Sequence, residues 1–312
     1  MRTLHPGRPS LRRGAPALVA AMALSLLPIL GAEEPRPESS RETGPSAYSF
    51  YSDGAQFLAV AEPLVLGEEA FIGRARALAG DGEPFGLVLS GGSARAYAHI
   101  GVLEALEEAG VRPDFLVGDS MGALIALLYG AGIAPEDIER LFEAFPAMSL
   151  FDLEIPLWGG FIDSASFRAL VVALVGELDL SDLPIPVLII CEDLITRRQL
   201  RIACGDFATM MSASFVLPGA LRPVSWRGFM LVDGGVIGLV PVNAAYKYSA
   251  RVAVSTTLYD KALDYSNAFV NLNRAIDIAK TRRSVEELLA HRPPLIRCDV
   301  EGLSFMQFSR PR

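Results

Sequence analysis

Histidine, cysteine and tryptophan are scarce in this chain, at three, three and two of 312 residues. Cys191, Cys204 and Cys298 are too few and too scattered for a disulfide framework or a metal site. Cys191 follows the apolar run Ile185–Ile190 and reads as a core thiol rather than as half of a bridge to Cys204. Positive charge is short as well, with 28 Lys and Arg against 36 Asp and Glu, a net charge of −8. That balance excludes nucleic acid as a partner and offers an anionic bilayer surface nothing electrostatic. The one Gly-rich turn, Ser90 to Arg95, lacks the G-x-G-x-x-G spacing of a dinucleotide site. No internal repeat is present. Half of the residues (51%) are hydrophobic, enough for one sizeable core.

The amino terminus stands apart from that core. Arg2, Arg8, Arg12 and Arg13 precede an apolar run from Ala15 to Leu30, and Gly31-Ala32 leads into Glu33-Glu34-Pro35. A basic region, an apolar region and a small-residue cleavage site make 1–32 a signal peptide, with export to the periplasm or beyond expected. The run is short for a membrane span and holds Pro16 and Pro28; an uncleaved anchor is the alternative. Residues 1–32 contain four arginines and no acid, so the remainder carries −12. Residues 33–46, rich in proline and charge, read as a disordered linker, and 47–312 as a single α/β domain.

Within it, Phe85–Leu89 reads as a strand, Tyr97–Ala109 as a helix and Phe115–Val117 as the next strand. Such a β-α-β unit implies parallel strands, so the turns after both strands emerge at one sheet edge. After the second strand comes Gly118-Asp119-Ser120-Met121-Gly122, then a helix to Tyr129. A serine between two glycines at a strand-to-helix turn is the nucleophile-elbow pattern. The Gly-rich turn beside it fits a donor of backbone N–H groups to an oxyanion. Further strands at Ile185–Cys191, Phe229–Val232, Arg251–Thr257 and Leu295–Cys298 alternate with helices. The pattern predicts a three-layer α/β fold with a mainly parallel central sheet and helices on both faces.

A catalytic serine needs a base, and the usual one is histidine. His5 lies in the signal segment, His99 begins the helix after the Gly-rich turn, and His291 ends a late charged helix. None has a persuasive position. Asp233, ahead of Gly234 and Gly235, ends a strand and is expected at the sheet edge that carries the elbow.

Gly91-Gly-Ser-Ala-Arg-Ala96 with His99-Ile-Gly-Val-Leu103, Gly118-Asp-Ser-Met-Gly-Ala123, Ser212-Ala-Ser214 with Leu217-Pro-Gly219, and Asp233-Gly-Gly235 together resemble the patatin-like phospholipases. The resemblance covers about residues 87–246. It implies a Ser–Asp dyad, Ser120 as nucleophile and Asp233 as proton acceptor, that hydrolyses lipid acyl esters without metal or organic cofactor. It also implies an oxyanion hole within Gly91, Gly92, Ser93, Ala94 and Arg95, with the N–H groups of Gly92 and Ser93 as donors and Arg95 at the family's basic position. Gly118 and Gly122 shape the elbow, and Gly234 and Gly235 complete the Asp-Gly-Gly motif. Partners implied are a phospholipid or other lipid ester and transient contact with a membrane surface. Ser93 and Ala96 stand where the family usually has glycine, which restricts the backbone there. Two rivals remain: an α/β-hydrolase triad using His291, and a lipid-binding scaffold without activity.

Overall fold

The computed structural model describes residues 62–144, 152–153, 162–258 and 268–300. The expected signal peptide, the linker and residues 47–61 lie outside them. In chain order the elements are β1 (Leu64–Leu66), α1 (Glu68–Ala79), β2 (Gly86–Leu89), α2 (Ala98–Glu108), β3 (Phe115–Asp119), α3 (Ser120–Gly130) and α4 (Pro135–Ala144). A short pair, β4 (Asp152–Leu153) and β5 (Ile162–Asp163), precedes α5 (Ala165–Val175), β6 (Val187–Asp193), β7 (Gln199–Ile202) and α6 (Phe207–Ser214). Then come β8 (Val224–Trp226), β9 (Phe229–Asp233), α7 (Val242–Tyr246), β10 (Val252–Thr256), α8 (Ala268–His291) and β11 (Leu295–Arg297).

The strands with unbroken apolar runs form the centre of the sheet. β2 and β3 are buried at every position, and β6 at all but Glu192. Strands covered by helices on both faces read this way, because neither side meets water. Alternate residues then go to opposite layers. Leu87, Leu89, Leu116, Val187 and Ile189 pack with Ile100 of α2, the apolar side chains of α3, and Phe207, Met210 and Met211 of α6. Val88, Phe115, Val117, Leu188 and Ile190 pack with Phe71 and Ala75 of α1 and with Val242 and Ala245 of α7. A helix apolar on all sides belongs in the middle, and ten of the eleven residues of α3 are buried. This is the three-layer α/β arrangement expected from the sequence.

The sheet order is β1-β7-β6-β3-β2-β10-β11, and from β6 to β11 all neighbours are parallel. The mixed part lies around β6, which pairs antiparallel with β7 on one edge. On its other edge β6 overhangs β3: the β3 pairing ends at Asp119 opposite Ile190, and β9 pairs antiparallel from Cys191 onward, opposite Asp233. Two strands running in opposite directions therefore meet end to end along one edge of β6. One ends at Asp119 and the other at Asp233.

That meeting corrects the reason for placing Asp233 at the active edge. It does not follow a parallel strand; it reaches the edge from outside, on an antiparallel strand supported by the overhang of β6. Other element bounds shift slightly. The helix expected over Tyr97–Ala109 is a 3-10 turn, Ser93–Tyr97, followed by α2. All three cysteines are free thiols, with Cys191 in the core.

Candidate active site

Ser120 is the first residue of α3, directly after β3. Its φ is 52°, in the left-handed region, which costs an L-residue roughly 1–2 kcal/mol. The turn is held by close backbone approach. A Cβ on Gly118 would collide with the backbone of Ala123, and one on Gly122 with the carbonyl of Ser90. Glycine at both positions therefore lets the elbow press against its own helix and against the Gly-rich turn.

The Ser120 hydroxyl donates to Asp233 Oδ2 at 2.7 Å. Asp233 Oδ1 accepts from the Gly235 N–H at 2.8 Å, which fixes the carboxyl in rotation. Both residues are buried. Burial pushes the Asp233 carboxyl up to about 6, against the Ser120 hydroxyl, the Gly235 N–H and the Lys280 charge, which favour the ionised form. At neutral pH the group is therefore mostly a carboxylate, yet close enough to neutrality to take up a proton readily.

The Gly-rich turn faces this pair, since a Cβ on Gly91 would lie 3.1 Å from Ser120 Cβ. Its N–H groups divide into two sets. That of Gly91 donates to Leu239 O and that of Arg95 to Gly92 O, so neither is available to a substrate. Among the described residues, the N–H groups of Gly92, Ser93 and Ala94 have no acceptor. Three free donors at the start of a helical turn suit an oxyanion. The two departures from glycine differ in consequence. Ser93 takes a φ of 52° and is strained, whereas Ala96 has no positive φ and is fully buried, so its methyl group is accommodated.

Two side chains, Thr257 and His99, brace the turn. Thr257, just past β10, donates from Oγ1 to Gly91 O at 2.7 Å and from its N–H to Ser90 Oγ at 2.9 Å. His99 spans Ser90 O (2.9 Å from Nε2) and Ser255 Oγ (2.7 Å from Nδ1). A carbonyl can only accept, so Nε2 carries the proton and Nδ1 accepts from Ser255. Burial pushes the His99 imidazole down to about 4, and it stays neutral. His99 is thus a brace and does not touch Ser120. His291 is engaged with other residues: its Nε2 bonds to Asn243 Oδ1 at 2.7 Å and its ring stacks on Tyr246. Neither histidine is placed as a base for Ser120, so the triad alternative has no geometric support.

Two charged groups at the site escaped the sequence reading. Lys280, on α8, acts on the Asp233 carboxyl through its charge and is paired with Asp277 at 2.7 Å. Asp119 is fully buried beside the dyad. It was legible as a charged residue closing an apolar strand, a signal that the motif's free second position concealed.

The site thus joins a serine at a strand-to-helix elbow, a carboxylate hydrogen-bonded to it and free backbone donors facing the pair, with neither His99 nor His291 in contact. The family model for patatin-like phospholipase matches residues 87–246, just over half of the chain, and the chain belongs to that family. An uncharacterised NTE family protein of Mycobacterium tuberculosis is 29% identical over 174 residues, 55% of this chain and 48% of the relative. Patatin-like phospholipase domain-containing protein 6 of Homo sapiens is 34% identical over 183 residues, 56% of this chain and 13% of the relative. The chain therefore matches about half the length of the mycobacterial protein and a small part of the human one. Among solved structures, VipD from Legionella pneumophila matches with a TM-score of 0.40 at 15% identity, over 62% of this chain and 52% of that one.

Proposed function

We propose that this chain cleaves acyl esters of phospholipids or related lipids through an acyl-enzyme on Ser120, with Asp233 as the proton acceptor. The observation that carries the reading is the 2.7 Å hydrogen bond from the Ser120 hydroxyl to a carboxylate held by the Gly235 N–H. In the first step Ser120 Oγ attacks the ester carbonyl and its proton passes to Asp233 Oδ2. The tetrahedral oxyanion is received by the N–H groups of Gly92, Ser93 and Ala94. Its collapse expels the alcohol, which takes the proton from Asp233. Water then repeats the sequence on the acyl-enzyme and releases the fatty acid.

The substrate reading is supported by apolar side chains near the pair. Leu217 is exposed and follows Val216, whose carbonyl accepts the Asp233 N–H; Ile237 is exposed and follows the Asp-Gly-Gly turn. Such residues beside the dyad favour a substrate drawn from a lipid surface over a small polar ester. Export of the mature chain, cut near Ala32, completes the proposal and rests on the arginine-flanked apolar run.

Mass spectrometry of the purified protein after a fluorophosphonate probe tests both halves. The expected result is one adduct on Ser120, absent from Ser120→Ala, on a chain that begins close to Glu33. An unlabelled wild type without activity on short-chain esters would leave only the non-catalytic lipid-binding reading, and a full-length chain confined to the cytoplasm would refute export.

A further inference from the structure

The reaction above uses one of two carboxyls buried at the elbow, and Asp119 is the other. It occupies the N-cap position of α3, where an aspartate ordinarily accepts an N–H of the first helical turn. Here the side chain makes no cap hydrogen bond, is 0% exposed, and neither oxygen accepts a hydrogen bond. The Ser120 N–H favours its charge without the alignment of a hydrogen bond. It is turned instead into a cage of backbone. A Cβ on Gly234 would lie 2.5 Å from Oδ1; one on Gly91 or Gly235 would lie 3.0 or 3.1 Å from Oδ2. The glycines of the Gly-rich turn and of the Asp-Gly-Gly motif thus make room for this one carboxyl.

Resting on the acyl-hydrolase reading, we propose that Asp119 is a positioning residue whose neutral acid belongs to the active site, and whose ionisation switches the Ser120–Asp233 pair off. Asp233 is the neighbouring charge that acts on it most, and both carboxyls border one glycine: the Cβ position of Gly235 is 3.0 Å from Asp233 Oδ1 and 3.1 Å from Asp119 Oδ2. Glu192 on β6 adds a second negative group, Lys280 on α8 is the cation, and Cys191 on β6 is the remaining titratable group facing it. Burial, then Asp233, then Glu192 hold the Asp119 carboxyl well above the usual carboxylate range, with Lys280 and the Ser120 N–H pulling the other way.

Two carboxyls this close and this dry ionise one after the other. Asp233 goes first, because the Ser120 hydroxyl and the Gly235 N–H stabilise its charge and Asp119 has no such partner. That first step makes the base. The second places an unpaired negative charge between the elbow and the turn whose N–H groups receive the oxyanion, and so opposes the charge that develops there.

The test is the pH dependence of kcat/KM on a short-chain p-nitrophenyl ester for wild type, Asp119→Asn and Asp119→Ser. Infrared spectra across the same pH series report the carbonyl band of a protonated carboxylic acid. The wild type should show an acid limb near Asp233's value of about 6 and an alkaline limb falling tenfold per pH unit. Both variants should keep the acid limb and lose the alkaline one, judged by the ratio of alkaline to neutral activity within each protein. Glu192, raised to about 7 by burial, also holds a proton at neutral pH, so the band is read as the wild type minus Asp119→Asn difference, which should be present at neutral pH and vanish along the alkaline limb. An active wild type with no alkaline limb, or a limb that survives in both variants, overturns the proposal and leaves the proposed function standing. Absence of that difference band at neutral pH overturns it whatever the activity. An inactive wild type that shows the difference band overturns the proposed function, and the switch with it.

Discussion

Asp233→Asn separates the chemical role of the carboxyl from its structural one. Asparagine keeps an oxygen for the Gly235 N–H but presents an amide to Ser120 in place of the carboxylate oxygen that now lies 2.7 Å away. The serine proton then has no acceptor, and the loss of a positioned general base is worth about 10²–10⁴ in rate. At 1.36 kcal/mol per tenfold that is roughly 3–5 kcal/mol of transition-state stabilisation. The same change should make the protein more stable. A buried carboxyl raised to about 6 in the folded state, against 3.8, binds its proton more tightly folded than unfolded. Its favourable contribution is therefore complete below the unfolded value and is lost as pH rises through about 6. The rise from 3.8 to about 6 corresponds to about 3 kcal/mol, which for a domain of this size is an increase of about 6–12 °C in Tm at neutral pH.

The assay is paired: ester hydrolysis and fluorophosphonate labelling at neutral pH, with melting curves at acid and neutral pH. The expected variant is nearly inactive, folded, and more stable than wild type at neutral pH, with the advantage shrinking toward acid. A variant that hydrolyses within tenfold of wild type refutes Asp233 as the base. A variant whose stability advantage does not change with pH refutes the burial argument.

Alanine at His99 leaves the Ser90 carbonyl without its imidazole donor, at about 1–3 kcal/mol, and leaves the Ser255 hydroxyl only the weak Cys298 thiol, so it should lower stability and activity together without moving the acid limb. With wild-type His99 neutral down to about 4, its contribution is present above 6.5 and is lost as pH falls toward 4, so the melting-temperature difference between wild type and the alanine variant should narrow over that range. His291→Ala, which removes a ring held by Asn243 and Tyr246, should lose less than about tenfold in kcat; a larger loss in a folded variant would restore the triad reading. Ser93→Gly removes the cost of a φ of 52° and should stabilise the protein by about 1 kcal/mol while keeping the oxyanion N–H, and destabilisation would show that the serine side chain matters there.

Much of this site was legible because it is built from close backbone approach, and close approach leaves glycine in the sequence. The Gly-rich turn, the elbow and the Asp-Gly-Gly motif all announced themselves that way, and the helix and strand patterns around them placed Ser120 at a sheet edge. Strand direction was not legible. Nothing local in Phe229–Asp233 says that it runs antiparallel, because its partner is the overhang of β6, set by pairing some forty residues away in sequence. The short strands β1, β7 and β8 were missed for a related reason: three or four residues carry too little periodicity to be read alone. The charged and hydroxyl partners were hidden most completely. Thr257 and Lys280 reach the site from the end of β10 and from α8, and a single polar side chain in an ordinary strand or helix has no pattern to betray it.

Asp119 stands between these cases. The glycines at 91, 234 and 235 read as flexible turns, yet in the fold they are spaces, and one carboxyl occupies the space of all three. A glycine in a sequence tells where something must come close without telling what comes. Here the occupant is an acid with no hydrogen-bond partner, set where its charge would oppose the oxyanion. Such a group adds nothing to stability at neutral pH, so its presence in the cage is better explained by what its proton does than by what its contacts hold together.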